Sequence, residues 1–135
     1  MAGYSGTPLA KKLGIKEGFR VRVKNAPADY DELVRPLPDG VEVSRTIRSE
    51  VDVWHLFTRS AGELRAELPR LMTQIRQNGA IWVSWPKKSS GESTDVTGDV
   101  IRSVALPLGL VDVKVCAVDD TWSGLKLVIR KENRA

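Results

Sequence analysis

Apolar and polar residues alternate through "FRVRVKN", with Phe19, Val21 and Val23 on one side, the period of a strand with one buried face. Just before it, "GTPLAKKLG" predicts a short helix, with Thr7 as cap, Pro8 at the first helical position and Gly14 as its end. In "APADYDELVRPLP" the period changes: Asp29 is placed to cap, Tyr30, Leu33 and Val34 share a helical face, and Pro36 and Pro38 stop it. "GVEVSRTI" alternates again, as a short edge strand. "VDVWHLF", residues 51–57, is apolar enough on both faces to lie inside a sheet.

The helix in "SAGELRAELPRLMTQIRQNG" carries the strongest signals. Ser60 and Glu63 have capping-box spacing, and Leu64, Leu68, Leu71, Met72 and Ile75 form one stripe. Pro69 predicts a bend and Asn78-Gly79 an end. "AIWVSW" is the next strand, and its Trp82 and Trp85, three apart, belong on opposite faces. A third helix is expected from about Asp95 to Leu108, with Val96, Val100, Ile101, Val104 and Leu108 on one face. "VDVKVCAVDDTWSGLKLVIRK" then reads as two strands around a turn at Asp119–Gly124, joined too tightly for any pairing but antiparallel.

Strands and helices alternating at this spacing predict an α/β, Rossmann-like three-layer sandwich, its mostly parallel sheet closed by an antiparallel C-terminal hairpin. The pattern resembles a shortened class I methyltransferase fold, which implies that the last strand inserts between its two predecessors. One joint fits badly. Only a few residues separate "VEVSRTI" from "VDVWHLF", fewer than the dozen or so of a parallel crossover, so residues 25–50 are expected to be shortened or irregular. With 135 residues the chain is expected to be one α/β domain, 1–18 forming an N-terminal arm and short helix and 19–131 the sheet and helices.

Composition narrows the chemistry. The chain is 41% hydrophobic and 28% charged, with no apolar run near the ~20 residues of a membrane span. No signal peptide is read at "MAGYSGTPLAKKLG", so the expected location is cytoplasmic, with no membrane partner. Cys116 is the only cysteine and His55 the only histidine, which excludes an intramolecular disulfide and a Cys/His metal site. Cys116, in a strand-like run, reads as a buried inert thiol, and His55, mid-strand, as a packed structural residue. Neither supports a nucleophile–base arrangement, so no catalytic residue and no cofactor is assigned. The net charge of +4 is thinly spread, which disfavours nucleic acid as the partner.

Ligands of open α/β sheets bind outside the carboxyl ends of the strands. Here those ends are Asn25-Ala26-Pro27, Thr58-Arg59-Ser60, Pro86 to Thr94 and the turn Asp119 to Gly124. In "PKKSSGEST" the residues Lys87, Lys88, Ser89, Ser90, Gly91 and Thr94 offer charge, hydroxyls and backbone ahead of a helix, suited to a phosphate, sulfate or carboxylate. Trp122 is placed beside them to stack on a ligand or fold back as a lid, with Asp119 and Asp120 behind the lysines. The competing reading is a solvated loop in which Ser93, Thr94 or Asp95 caps the helix. "VKNAPADY", after the first strand, holds none of the glycines that let backbone approach a dinucleotide or methyl donor, though Asn25 or Asp29 remains within reach of a ligand. Tyr4, in "GYSG", is read either as packed on the body or as frayed.

The phrases "GYSGTPLAKKLGI", "WVSWPKKSSGESTDVT" and "ALPLGLVDVKVCAVDDTWSGLKLVIR" together resemble a domain-of-unknown-function family of small single-domain bacterial proteins, common in actinobacteria. The resemblance runs over nearly the whole chain and is densest from residue 80 onward. It implies no activity and no catalytic residue. The chain departs from the family pattern at Val113, where an asparagine is expected, so any site served by that asparagine is altered. The leading expectation is a non-enzymatic or degenerate Rossmann-like binding domain for an anionic small molecule, a nucleotide or phosphorylated metabolite. The alternatives are an S-adenosylmethionine-dependent methyltransferase relative, and a protein- or RNA-binding module using the basic tail and the Trp122 turn.

Overall fold

The computed structural model describes residues 7–135; Tyr4 lies outside them. Six strands form one sheet in the order β2-β1-β3-β4-β6-β5. They are β1 (Arg20–Lys24), β2 (Glu42–Ser44), β3 (Val51–Phe57), β4 (Ile75–Pro86), β5 (Leu110–Ala117) and β6 (Trp122–Ile129). Strands β1 to β4 pair in parallel, while β6 runs antiparallel to both β4 and β5. The last strand in sequence is therefore inserted between its two predecessors, as expected.

Each face of the sheet has its own core. On one, helices α3 (Ala61–Met72) and α4 (Gly98–Ala105) press Leu64, Leu68, Leu71 and Ile101 onto Trp54, Ile81, Val83, Leu125 and Leu127. On the other, the one-turn helices α1 (Leu9–Lys12) and α2 (Tyr30–Leu33) bring Leu9, Leu13 and Tyr30 onto Val21, Val23, Phe57, Trp82 and Trp122. The period of two distributes most strand residues between the cores: Trp82 lies in the second, and Trp85 packs against the first.

Several boundaries differ from the sequence reading. Helix α1 is preceded by Pro8 at the cap position, and Thr7 makes no side-chain cap bond. Helix α3 ends at Met72 rather than at Asn78-Gly79, and Ile75 opens β4. The segment 76–79 is extra chain, accommodated because Ile75 pairs with Val51 and Ala80 already with Val53. Gly79 permits this bulge, since a Cβ there would lie 3.0 Å from the carbonyl oxygens of Val51 and Asp52. Helix α4 starts at Gly98, not Asp95, and gives way to a 3₁₀ turn at Leu106–Leu108. Strand β6 starts at Trp122, so the turn is shorter than expected and Gly124 lies within the strand.

The awkward joint before β3 is a true parallel crossover, made without a helix. Residues 45–50 carry the chain from β2 across β1 to β3. So short a strap suffices because β2 has three residues and the return distance is correspondingly small. Arginines on β1 hold it: Arg22 Nη1 donates to the Ile47 carbonyl at 2.8 Å and Arg20 Nη1 to the Ser49 carbonyl at 3.0 Å. Ile47 packs against the first core.

At the opposite edge, β5 carries a bulge. Asp112 pairs with Leu127 and Lys114 with Lys126, which leaves Val113 as the extra residue, 53% exposed. A bulge and a lysine on an outer strand oppose edge-to-edge pairing.

Gly124 pairs with Ser84 across β4 and β6, with the Trp82 side chain diagonal to it, and a Cβ there would meet the indole at 3.1 Å and Ser84 Oγ at 3.4 Å. Gly124→Ala is expected to lower stability by roughly 1–3 kcal/mol, measured as a shift in urea midpoint at constant slope, because the buried Trp82 indole would have to give way.

Candidate functional site

The carboxyl ends of β1, β3 and β4 open onto one rim. The direction of the chain reverses there, with β2 on one side of β1 and β3 on the other, so the switch point lies between the ends of β1 and β3. A cleft of about 520 Å³ occupies that position, lined by Asn25, Phe57, Thr58, Arg59, Ser60 and Glu63.

Local hydrogen bonding shapes the cleft. Asn25 follows β1 with φ of 61°, the left-handed conformation that glycine takes most easily. Its amide donates to the Phe57 carbonyl at 3.1 Å and to the Glu63 carboxylate at 3.3 Å. Ser60 caps α3, accepting from the Glu63 N–H at 3.1 Å. The reciprocal half of the capping box is rerouted: the Ser60 N–H donates to Thr58 Oγ1, and Thr58 Oγ1 in turn donates to Glu63 at 2.5 Å. Glu63 thus holds the cleft wall together from β1 to α3. Behind it, Lys24 is ion-paired with Glu67.

Arg59 forms the other wall. Its guanidinium lies 4.8 Å from the centroid of Trp122, and its Nε donates to Glu92 at 2.7 Å. Trp122 is not available to a ligand. As the first residue of β6 its side chain enters the second core, 5% exposed, edge-on to Phe57 at 5.0 Å. It is the floor beneath Arg59, so of the two placements expected for it the indole takes the folded-back one and is not a stacking platform.

The lysine–serine loop and the hairpin emerge side by side, joined by the Lys87 N–H donating to the Thr121 carbonyl at 2.8 Å. Within the loop, Lys87 is half-buried and Lys88, Ser89 and Gly91 are exposed. The hydroxyls of Ser90 and Thr94 are engaged locally. Ser90 Oγ donates to the Lys87 carbonyl at 2.6 Å and accepts from the Glu92 N–H. Thr94 Oγ1 donates to the Arg59 carbonyl and accepts from the Val96 N–H. The loop does not run straight into a helix end. Thr97 caps α4, accepting from Val100, with Asp99 in the first turn. Asp95, expected near the start of α4, instead accepts from the Ala61 N–H at the start of α3, at 2.7 Å. Asp119 shapes the hairpin turn, accepting from Thr121 and Trp122, while Asp120 is exposed.

His55 and Cys116 lie apart from the cleft. Tyr30 Oη sits 2.9 Å from His55 Nδ1, and His55 Nε2 2.7 Å from Ser84 Oγ, in a fully buried chain stacked on Phe57. Burial holds His55 neutral, its pKa lowered to about 3, and pushes the Tyr30 phenol up. Cys116 is partly buried on β5, and burial raises its thiol too. Among the described residues no group of three or more His, Cys, Asp or Glu is placed to hold a metal ion, and no helix is long and apolar enough to cross a membrane.

The pattern of the family described as protein of unknown function DUF3052 matches residues 10–131. The chain belongs to that family. In three dimensions the DUF3052 chain is similar to ribosomal protein L11 methylase from Lactobacillus delbrueckii subsp. bulgaricus, at 10% identity and a TM-score of 0.54, covering 90% of this chain and 74% of that one. It is similar also to a SAM-dependent O-methyltransferase from Thermotoga maritima, at 10% identity and 0.56, covering 91% and 64%. With TrmN from Thermus thermophilus the values are 11% and 0.56, over 90% of this chain and 47% of that one. This DUF3052 chain thus spans about half the length of some structures it matches. At such identity the likeness shows the class I methyltransferase fold and nothing about activity. No curated protein sequence matches it.

The buried histidine predicts an acid response. His55 is neutral in the folded state down to about pH 3 and takes up a proton near 6.5 once unfolded, so stability falls as pH drops through that window, by about 1.4 kcal/mol per unit at most. His55→Gln, which keeps hydrogen-bonding capacity without titrating, is expected to flatten this slope in urea unfolding between pH 6.5 and 4.

Proposed function

We propose that this DUF3052 protein is a non-catalytic Rossmann-like binding domain whose ligand is a small anion bearing hydroxyl groups, a nucleotide or phosphorylated metabolite, seated at the rim cleft. The observation that carries this reading is the position of the cleft at the switch point between β1 and β3, where open α/β sheets hold their ligands. Glu63 and Asn25 present an acceptor and an amide suited to sugar hydroxyls. Arg59, with Lys87 and Lys88 beyond it on the neighbouring loop, supplies positive charge for a phosphate. Ser89 remains as a further donor on that loop, with Ser90, Thr94 and the Gly91 N–H, which donates to the Lys88 carbonyl, holding its shape.

Calorimetry with adenosine monophosphate and with a sugar phosphate tests it. Lys87→Ala with Lys88→Ala is expected to weaken binding roughly tenfold or more at unchanged melting temperature, since each lost charged contact is worth about 1.5–3 kcal/mol. Absence of heat with both ligands, or an affinity indifferent to the lysines, would remove the proposal.

A second reading, a methyltransferase relative, is favoured by the fold of its structural neighbours. Against it stands the turn after β1, where the Asn25 side chain fills the space a glycine loop leaves for a donor. Equilibrium dialysis with S-adenosylmethionine is expected to show no retention at about 1 mM; tighter binding would put this reading first.

A further inference from the structure

On the α1 face, away from the rim, an open groove of about 440 Å³ runs between α1 and the turn before β2. It shares no residue with the rim cleft. Its walls are apolar, built from Pro8, Ile15, Pro36, Leu37 and Pro38. Its charged lining residues are Lys11 and Lys16, with no carboxylate among them.

The groove meets a second basic feature at Gly14. A Cβ on Gly14, itself a groove residue, would lie 3.7 Å from Lys126 Nζ. Lys126 stands directly across the β5–β6 pair from Lys114, and like charges in facing positions repel. Both Lys114 and Lys16 disfavour the charged form of Lys126, after its partial burial has already done so. None of Lys16, Lys114 and Lys126 forms an ion pair among the described residues. Other basic side chains of the protein do find acids: Arg59 has Glu92, Arg76 has Glu50 and Asp52, and Arg102 has Asp99 and Asp112, whereas Lys11, Lys87 and Lys88, like these three lysines, form no ion pair among the described residues. A partly buried Lys126 with the exposed Lys16 and Lys114 beside it and no acid paired to it, at the end of an apolar groove, is a local conflict of the kind a bound anion resolves.

We propose that this groove binds an anionic amphiphile, its apolar body held by Ile15, Leu37 and the three prolines and its phosphate or carboxylate head by Lys16 and Lys126. The charge selects the head and the groove selects the body, so neither half binds well alone. The volume is within the range of about 300–1,000 Å³ common for small-molecule sites. This site is independent of the rim reading.

The test uses the full chain, with calorimetry for affinity and amide chemical shifts for location. Decyl phosphate or decanoate is expected to bind with shifts centred on residues 10–16, 36–38 and 126. Inorganic phosphate and decyltrimethylammonium are each expected to bind at least about tenfold more weakly, and Lys16→Met with Lys126→Met to cost a similar factor, on the scale of one charged hydrogen bond. Equal affinity for inorganic phosphate would show that the groove contributes nothing. Equal affinity for the cationic amphiphile would remove the lysines from the site. Binding only when the amphiphile is presented in a phosphatidylglycerol vesicle would point to a bilayer surface and overturn the proposal as well. The amphiphile comparisons are made on the unsubstituted chain and do not depend on the variant folding.

Discussion

Strand β6 wedged antiparallel between β4 and β5 is the constraint from which both faces of the molecule follow. It buries Leu125, Leu127 and Ile129 against α3 and α4, and Trp122 against α1 and α2, so one strand contributes to two cores. The fit is close: Gly124 leaves no room for a side chain beside Trp82. Because β6 starts where β4 ends, Pro86 opposite Trp122, the loops that follow and precede them are tied at Lys87 and Thr121. The rim cleft inherits its floor from this pairing, since Trp122 supports Arg59.

The front half solves a different problem with very little chain. A strand of three residues and a strap of six replace a full βαβ unit, and what a crossover helix would cover is held by the arginines of β1. The turn after β1 is equally economical. Asn25 adopts a glycine-like backbone and then uses its side chain to tie β1 to β3 and α3. A fold built to cradle a large cofactor keeps that turn open. Here it is closed by a side chain, which is the physical basis for preferring a smaller hydroxylated anion at the rim.

Buried polarity is concentrated in the chain Tyr30–His55–Ser84, which runs from α2 to the paired strands β3 and β4. Both imidazole nitrogens are matched, and the ring is stacked on Phe57, so this histidine orders the second core. The titratable groups that line the cleft, Arg59 and Glu63, are both partnered within the protein.

Periodicity and punctuation in the sequence determined which segments became strands and helices, because burial of an apolar face every second or every third to fourth residue is a local requirement. The antiparallel pairing of the closing strands was legible too, since they are too tightly joined to pair otherwise, whereas the insertion of the last strand followed only from the resemblance to the methyltransferase fold. The ends of elements were not. Ile75 continues the apolar stripe of α3 yet opens β4, because pairing with Val51 outweighs one more turn of helix. Trp122 and Asp95 likewise had local readings, at a hairpin tip and at the start of α4. Insertion of β6 sent the indole into a core, and the unfilled N–H of Ala61 drew the carboxylate to α3. Such outcomes depend on partners more than twenty residues away in the chain, and only the folded arrangement decides which of two satisfactory local bonds a side chain makes.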